Sequence, residues 1–95
     1  MARRRYIDAN VILRYLTNEP ADMAERASML FDDIAAGRTT VIVEDIVLAE
    51  VVWTLRSYYR VEKAEIADQL ASLIADDHIQ NSDKSSLTFA LTIYR

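Results

Sequence analysis

The stretch "RRRYIDANVILRYL", residues 3 to 16, passes from an arginine run into apolar residues in two steps, with Asp8 between them. Residues 4 to 8 read as a strand and residues 10 to 17 as a short helix. That helix stops at the turn "TNEP", where Pro20 suits the first position of a second helix because its missing N–H has no intrahelical partner there. From Pro20 to Ala36, Met23, Ala27, Leu30, Phe31 and Ile34 recur at helical spacing, and Gly37 offers a left-handed stop. "TTVIV" (39–43) reads as a buried strand, and Asp45 is placed to cap a helix running through "IVLAEVVWTLRSYY" to about Tyr59. Residues 62 to 76 form an amphipathic helix with Ile66, Leu70, Leu73 and Ile74 on one face. "HIQ" (78–80) is a weak strand, and Ser82 or Asp83 caps a last helix that ends at Arg95.

The order β-α-α-β-α-α-β-α separates the strands by helices, which implies parallel pairing and an α/β layered sheet. Residues 1–95 suit one compact domain. In such sheets ligands gather at the carboxyl ends of strands, and Asp8 lies at the end of the first.

Composition narrows the chemistry. With no cysteine, disulfides, thiolate zinc sites and cysteine nucleophiles are excluded, and a reducing cytoplasm fits. One glycine cannot build a Walker loop or a dinucleotide fingerprint, and one histidine, His78, cannot supply a histidine pair for acid–base RNA cleavage. Hydrolytic chemistry in this chain has to rest on carboxylates. No uncharged run approaches the ~20 residues of a membrane span, so a soluble chain is expected. The net charge of −4 argues against a broad electrostatic grip on nucleic acid, leaving local contacts by Arg3, Arg4, Arg5, Arg14, Arg56 or Arg60, and it favours a basic protein partner.

Asp8 and Glu50 are the two isolated acids in apolar surroundings. Asp8 suits an N-cap, as does Asn10. Glu50, the one charge in "IVLAEVVW", falls opposite the arc of Leu48, Val51, Val52, Leu55 and Tyr59. It reads either as an ordinary exposed glutamate or, because Ile46, Ala49 and Trp53 flank it, as a carboxylate under cover. A covered carboxylate costs several kcal/mol unless a cation or hydrogen bonds compensate it. Two such acids make a hard-oxygen site suited to Mg2+ or Mn2+. Asp76, Asp77 and Asp83 read as turn and cap residues, and Trp53, Tyr58 and Tyr59 as core or interface aromatics rather than base-stacking ones.

"YIDANVILRYL" followed by "VIVEDIVLAEVVWTLRSYY" resembles the PIN-domain family, and within it the VapC-type toxins of bacterial toxin–antitoxin modules. The resemblance covers essentially the whole chain. It implies a PIN-like α/β/α fold and a Mg2+- or Mn2+-dependent endoribonuclease that hydrolyses RNA phosphodiesters. Asp8 and Glu50 match the metal-binding catalytic acids, and Asn10 the polar residue that supports them by hydrogen bonding. It further implies a homodimer and a cognate antitoxin whose basic residue enters the acidic pocket. The family carries one or two further acids beyond the helix that here reaches Arg95, so the chain reads as a fragment with a sheet edge uncovered. The alternative is a catalytically inactive truncated PIN module that only binds antitoxin or a dimer partner. An aspartate-phosphorylated receiver or haloacid-dehalogenase-like domain fits less well, because Asn10 stands where such a phosphatase wants a second aspartate.

Overall fold

The computed structural model describes residues 4–95. Arg3, one of the candidate RNA contacts, lies outside the described residues, as does the side chain of Arg4. The elements are β1 (Arg4–Tyr6), α1 (Ala9–Thr17), α2 (Ala21–Ala35), β2 (Thr40–Ile42), α3 (Asp45–Ser57), α4 (Lys63–Ile74), β3 (Ile79–Gln80) and α5 (Lys84–Tyr94). The order expected from the hydrophobic pattern is the order observed.

The three strands pair in parallel in the order β1-β2-β3, with Tyr6 opposite Ile42 and Ile42 opposite Gln80. Because side chains alternate across a strand, this register puts Val41 and Ile79 on one face and Tyr6, Ile42 and Gln80 on the other. The first face carries the core: Val41 and Val43 are fully buried, and Ile7 and Ile79 nearly so. Tyr6 on the second face is 67% exposed. Both crossovers advance in the same direction, so right-handed connections set α1–α2 and α3–α4 over the same side of the sheet. Ile12 from α1, Ile34 from α2, Val51 and Leu55 from α3, and Ile66 and Leu70 from α4 meet Val41 there. Burying each such side chain contributes roughly 1.5–3 kcal/mol before conformational entropy is counted. Among the described residues no helix is long and apolar enough to cross a membrane.

Helix ends follow local chemistry, with some displacements from expectation. Gly37 does stop α2: its φ is +77°, its N–H donates to the Ile34 carbonyl, and the Arg38 N–H donates to the Asp33 carbonyl, the paired bonds of a left-handed helix end. A Cβ at Gly37 would also lie 3.3 Å from the His78 ring. Pro20 stands one residue earlier than expected, as the N-cap, with α2 beginning at Ala21. The first strand ends at Tyr6 rather than residue 8, because Asp8 is drawn into capping α1.

Asp45 is not a cap. It is the first residue of α3, and its carboxylate accepts instead from the Asn81 side chain at 2.8 Å. Asp83, not Ser82, caps α5 and accepts from the Ser86 N–H and hydroxyl. On α2, Ala24 is buried, while Met23 lies at the margin of the surface.

Candidate metal centre

Asp8 stands where β1 gives way to α1, at the carboxyl end of the sheet. Its backbone is extended (φ −95°, ψ 171°), and one carboxylate oxygen, Oδ1, accepts from the Val11 N–H at 3.1 Å. The capping role is therefore real. It engages one oxygen, and the other has no protein donor among the described residues. Since Tyr6 pairs with Ile42, Asp8 and Glu44 each lie two residues past paired strand positions, with Asp45 next to Glu44. That end of the sheet is acidic.

Asn10 follows on the first turn of α1, exposed. It lines a shallow cavity of about 360 Å³ with Leu13 and Arg14 of α1, Thr54 of α3, and Tyr58 and Tyr59 just past α3. Thr54 is one turn on from Glu50, and residues four apart share a helix face. Glu50 shares that face of α3 but does not itself line the cavity. The amide of Asn10 makes no hydrogen bond to Asp8 or Glu50, so the supporting contact implied by resemblance is absent from this arrangement.

Glu50 itself is exposed, and so are its neighbours: Ile46 is 65% and Trp53 69% accessible. The expectation of a covered carboxylate is corrected by this exposure. Glu50 is open to solvent and, among the described residues, has no ion-pair partner. Of the reading of Trp53 and Tyr58 as core or interface aromatics, this openness removes the core half, Tyr58 being 76% exposed and edge-on to Tyr59 at 4.9 Å between ring centres.

Among the described residues, no set of three or more His, Cys, Asp or Glu side chains comes together to hold a metal. The donor chemistry of the pair still suits a hard divalent cation. Asp8 has a free oxygen, Glu50 a solvated carboxylate, and Mg2+ binds through one or two carboxylates while keeping waters and phosphate oxygens in its remaining positions. Asp76 and Asp77 do not join them. Asp76 closes its own turn, accepting from the His78 N–H at 2.8 Å and lying 3.3 Å from His78 Nδ1.

Two polar residues were missed by reading the sequence. Asn81 donates from its amide nitrogen to the Val43 carbonyl and to Asp45, both at 2.8 Å, while its amide oxygen accepts from the Asp83 N–H. One side chain therefore joins the exit of β2, the start of α3 and the cap of α5. Nothing local marks it, because its partners lie up to 38 residues away. Arg26 faces a groove between α1 and α2, and its only sequence signal is its place beside the Met23–Leu30 stripe.

Comparison with known proteins returns one family. The chain matches the PIN domain over residues 5–92, a span that includes Asp8, Asn10 and Glu50. No curated protein and no solved structure gives a significant match. PIN domains are generally nucleases and typically use divalent metals. With a parallel α/β sheet, an acid at the end of its first strand and a family match over nearly the whole sequence, this chain belongs to the PIN domain family.

Proposed function

We propose that this chain is the PIN domain of a VapC-type endoribonuclease toxin, acting in the cytoplasm within a bacterial toxin–antitoxin module. Asp8 and Glu50 hold Mg2+ or Mn2+ and are the catalytic acids, and Asn10 orients them once the site is loaded. The partners are substrate RNA, a cognate antitoxin with a basic residue for the acidic strand ends, and a second copy of the chain. The observation that supports this reading is Asp8 at the carboxyl end of β1, beside a cavity that Asn10 of α1 and Thr54 of α3 line together, in a chain that matches a family of nuclease type. A module that only binds a partner is disfavoured by that family match.

A divalent cation bound there supplies Lewis-acid activation of water and neutralises charge that builds on the phosphate. The residues of the chain do the rest. Asp8 presents its second oxygen from a carboxylate whose Oδ1 is already held by the Val11 N–H, so little is lost in ordering it. Glu50 brings the second carboxylate from a rigid helix. No histidine pair is needed, and none exists.

The test is Mn2+ binding by titration calorimetry beside cleavage of a fluorogenic RNA with and without EDTA. Asp8→Asn and Glu50→Gln are each expected to remove calorimetric binding and lower cleavage by more than about 100-fold. Asn10→Ala is expected to lower it by about 10–100-fold, the range for residues that only orient metal ligands. Undiminished binding and cleavage in Asp8→Asn and Glu50→Gln would overturn the site.

A further inference from the structure

Beside β1, α1 and α2 enclose a groove of about 410 Å³ into which Arg5, Arg14 and Arg26 all face, with Met23 and Leu30 along its floor. Three cations gathered in one concavity run against the charge of a chain whose net balance is −4. Ordinary arginines of a folded surface find carboxylates or disperse, since converging like charges repel. These do neither. The ion pairs among the described residues are Arg38–Asp33, His78–Asp76 and Arg95–Asp68, and none involves the three arginines. Asp33 also lines the groove, where Arg38 engages one of its oxygens at 2.9 Å, so three guanidinium groups stand against one carboxylate.

The groove shares one lining residue with the cavity beside Asn10. Arg14, half-buried on α1, also lines the cavity that holds Asn10, Thr54 and Tyr58. A ligand lying along Arg26 and Arg5 therefore reaches Arg14 and, across it, the Asn10 and Thr54 cavity. Guanidinium groups match phosphate by planar, paired hydrogen bonds, and a row of them suits a repeating anion better than a single one. Exposed Tyr58 at the far end offers a ring face to a base, as tracks for single-stranded nucleic acid do.

We propose that Arg5, Arg14 and Arg26 form a phosphate track that leads the backbone of single-stranded RNA to the Asp8–Glu50 site. The identity of the ligand rests on the nuclease reading above. The track itself rests on the groove.

The experiment is fluorescence anisotropy of a labelled polyuridine oligonucleotide with the 95-residue chain in EDTA, over a range of KCl concentrations. Three phosphate contacts on a single strand give a slope of log K against log salt of about −2. Each Arg→Gln substitution is expected to flatten that slope by about 0.7 and weaken binding several-fold at low salt. A triple lysine variant at Arg5, Arg14 and Arg26 restores the slope, which a merely structural role would not explain. Lys63→Gln, which removes a cation elsewhere, leaves slope and affinity unchanged.

A triple glutamine variant that melts like the parent and binds RNA with the parent's slope overturns the track. So does a polyglutamate peptide that displaces RNA with the same arginine dependence and higher affinity, since the groove would then serve an acidic protein. The two readings fail separately. Asp8-dependent cleavage that is indifferent to the arginines removes the track and keeps the nuclease. Arginine-dependent RNA binding without metal-dependent cleavage keeps the track and removes the nuclease.

Discussion

At Asp8 a helix cap and a proposed metal ligand fall on one carboxylate, with Oδ1 on the Val11 N–H and the other oxygen without a donor among the described residues. The two roles separate by substitution. Asparagine caps about as well as aspartate but carries no charge, whereas alanine does neither. In urea unfolding, Asp8→Asn is expected within about 0.5 kcal/mol of the parent and Asp8→Ala about 1 kcal/mol below it, while both lose Mn2+ binding. Equal destabilisation by the two variants would mean that the charge, not the cap, holds the start of α1. Asp8 was legible in the sequence because a polar residue between a strand and a helix is a local signal. Whether Glu50 was covered was not, since that depends on what packs over α3.

α5 hangs on its first turn. Asp83 accepts from the Ser86 hydroxyl at 2.7 Å and from the Ser86 N–H at 3.1 Å. The hydroxyl bond first, then the backbone bond, lowers the Asp83 pKa below the ordinary carboxylate value. A group whose pKa is depressed on folding stabilises the fold above its unfolded value and loses that contribution as pH falls through its folded one. The cap is therefore intact at neutral pH and fails in the acid range, below where a free aspartate titrates. Followed by NMR, the Ser86 amide shift is expected to titrate with a midpoint below that of a free aspartate, and Ser86→Ala to move the midpoint back up. A parent midpoint at the ordinary value would contradict the cap's electrostatic account. At its far end α5 is tied to α4 by the ion pair of Arg95 with Asp68, and Leu91 enters the core.

Over the whole molecule, apolar exposure is uneven. Trp53 and Ile46 on α3 are mostly accessible, and Trp53 borders an apolar groove of about 490 Å³ shared with Leu87 and Tyr94 of α5. Exposed contiguous apolar surface on this scale marks interaction sites. The proposed homodimer is expected to use this side, giving a dimer mass in light scattering and a melting temperature that rises with protein concentration. Trp53→Glu is expected to shift the mass to monomer with the fold intact. A monomer at every concentration in the parent would remove the dimer from the proposal.

Sequence by itself determined the kinds of element and their order, because hydrophobic period, the Pro20 and Gly37 punctuation and the caps act within a few residues. It also left the chain one histidine, one glycine and no cysteine, too few for a histidine pair, a glycine-rich phosphate loop or a thiolate site. Tertiary structure decided what depends on distance in space. It exposed Glu50, gave Asp45 to Asn81 rather than to a cap, and turned Arg5, Arg14 and Arg26 from three separate elements into one groove. Solvation and charge convergence are properties of neighbours, and neighbours far apart in the chain are chosen by packing.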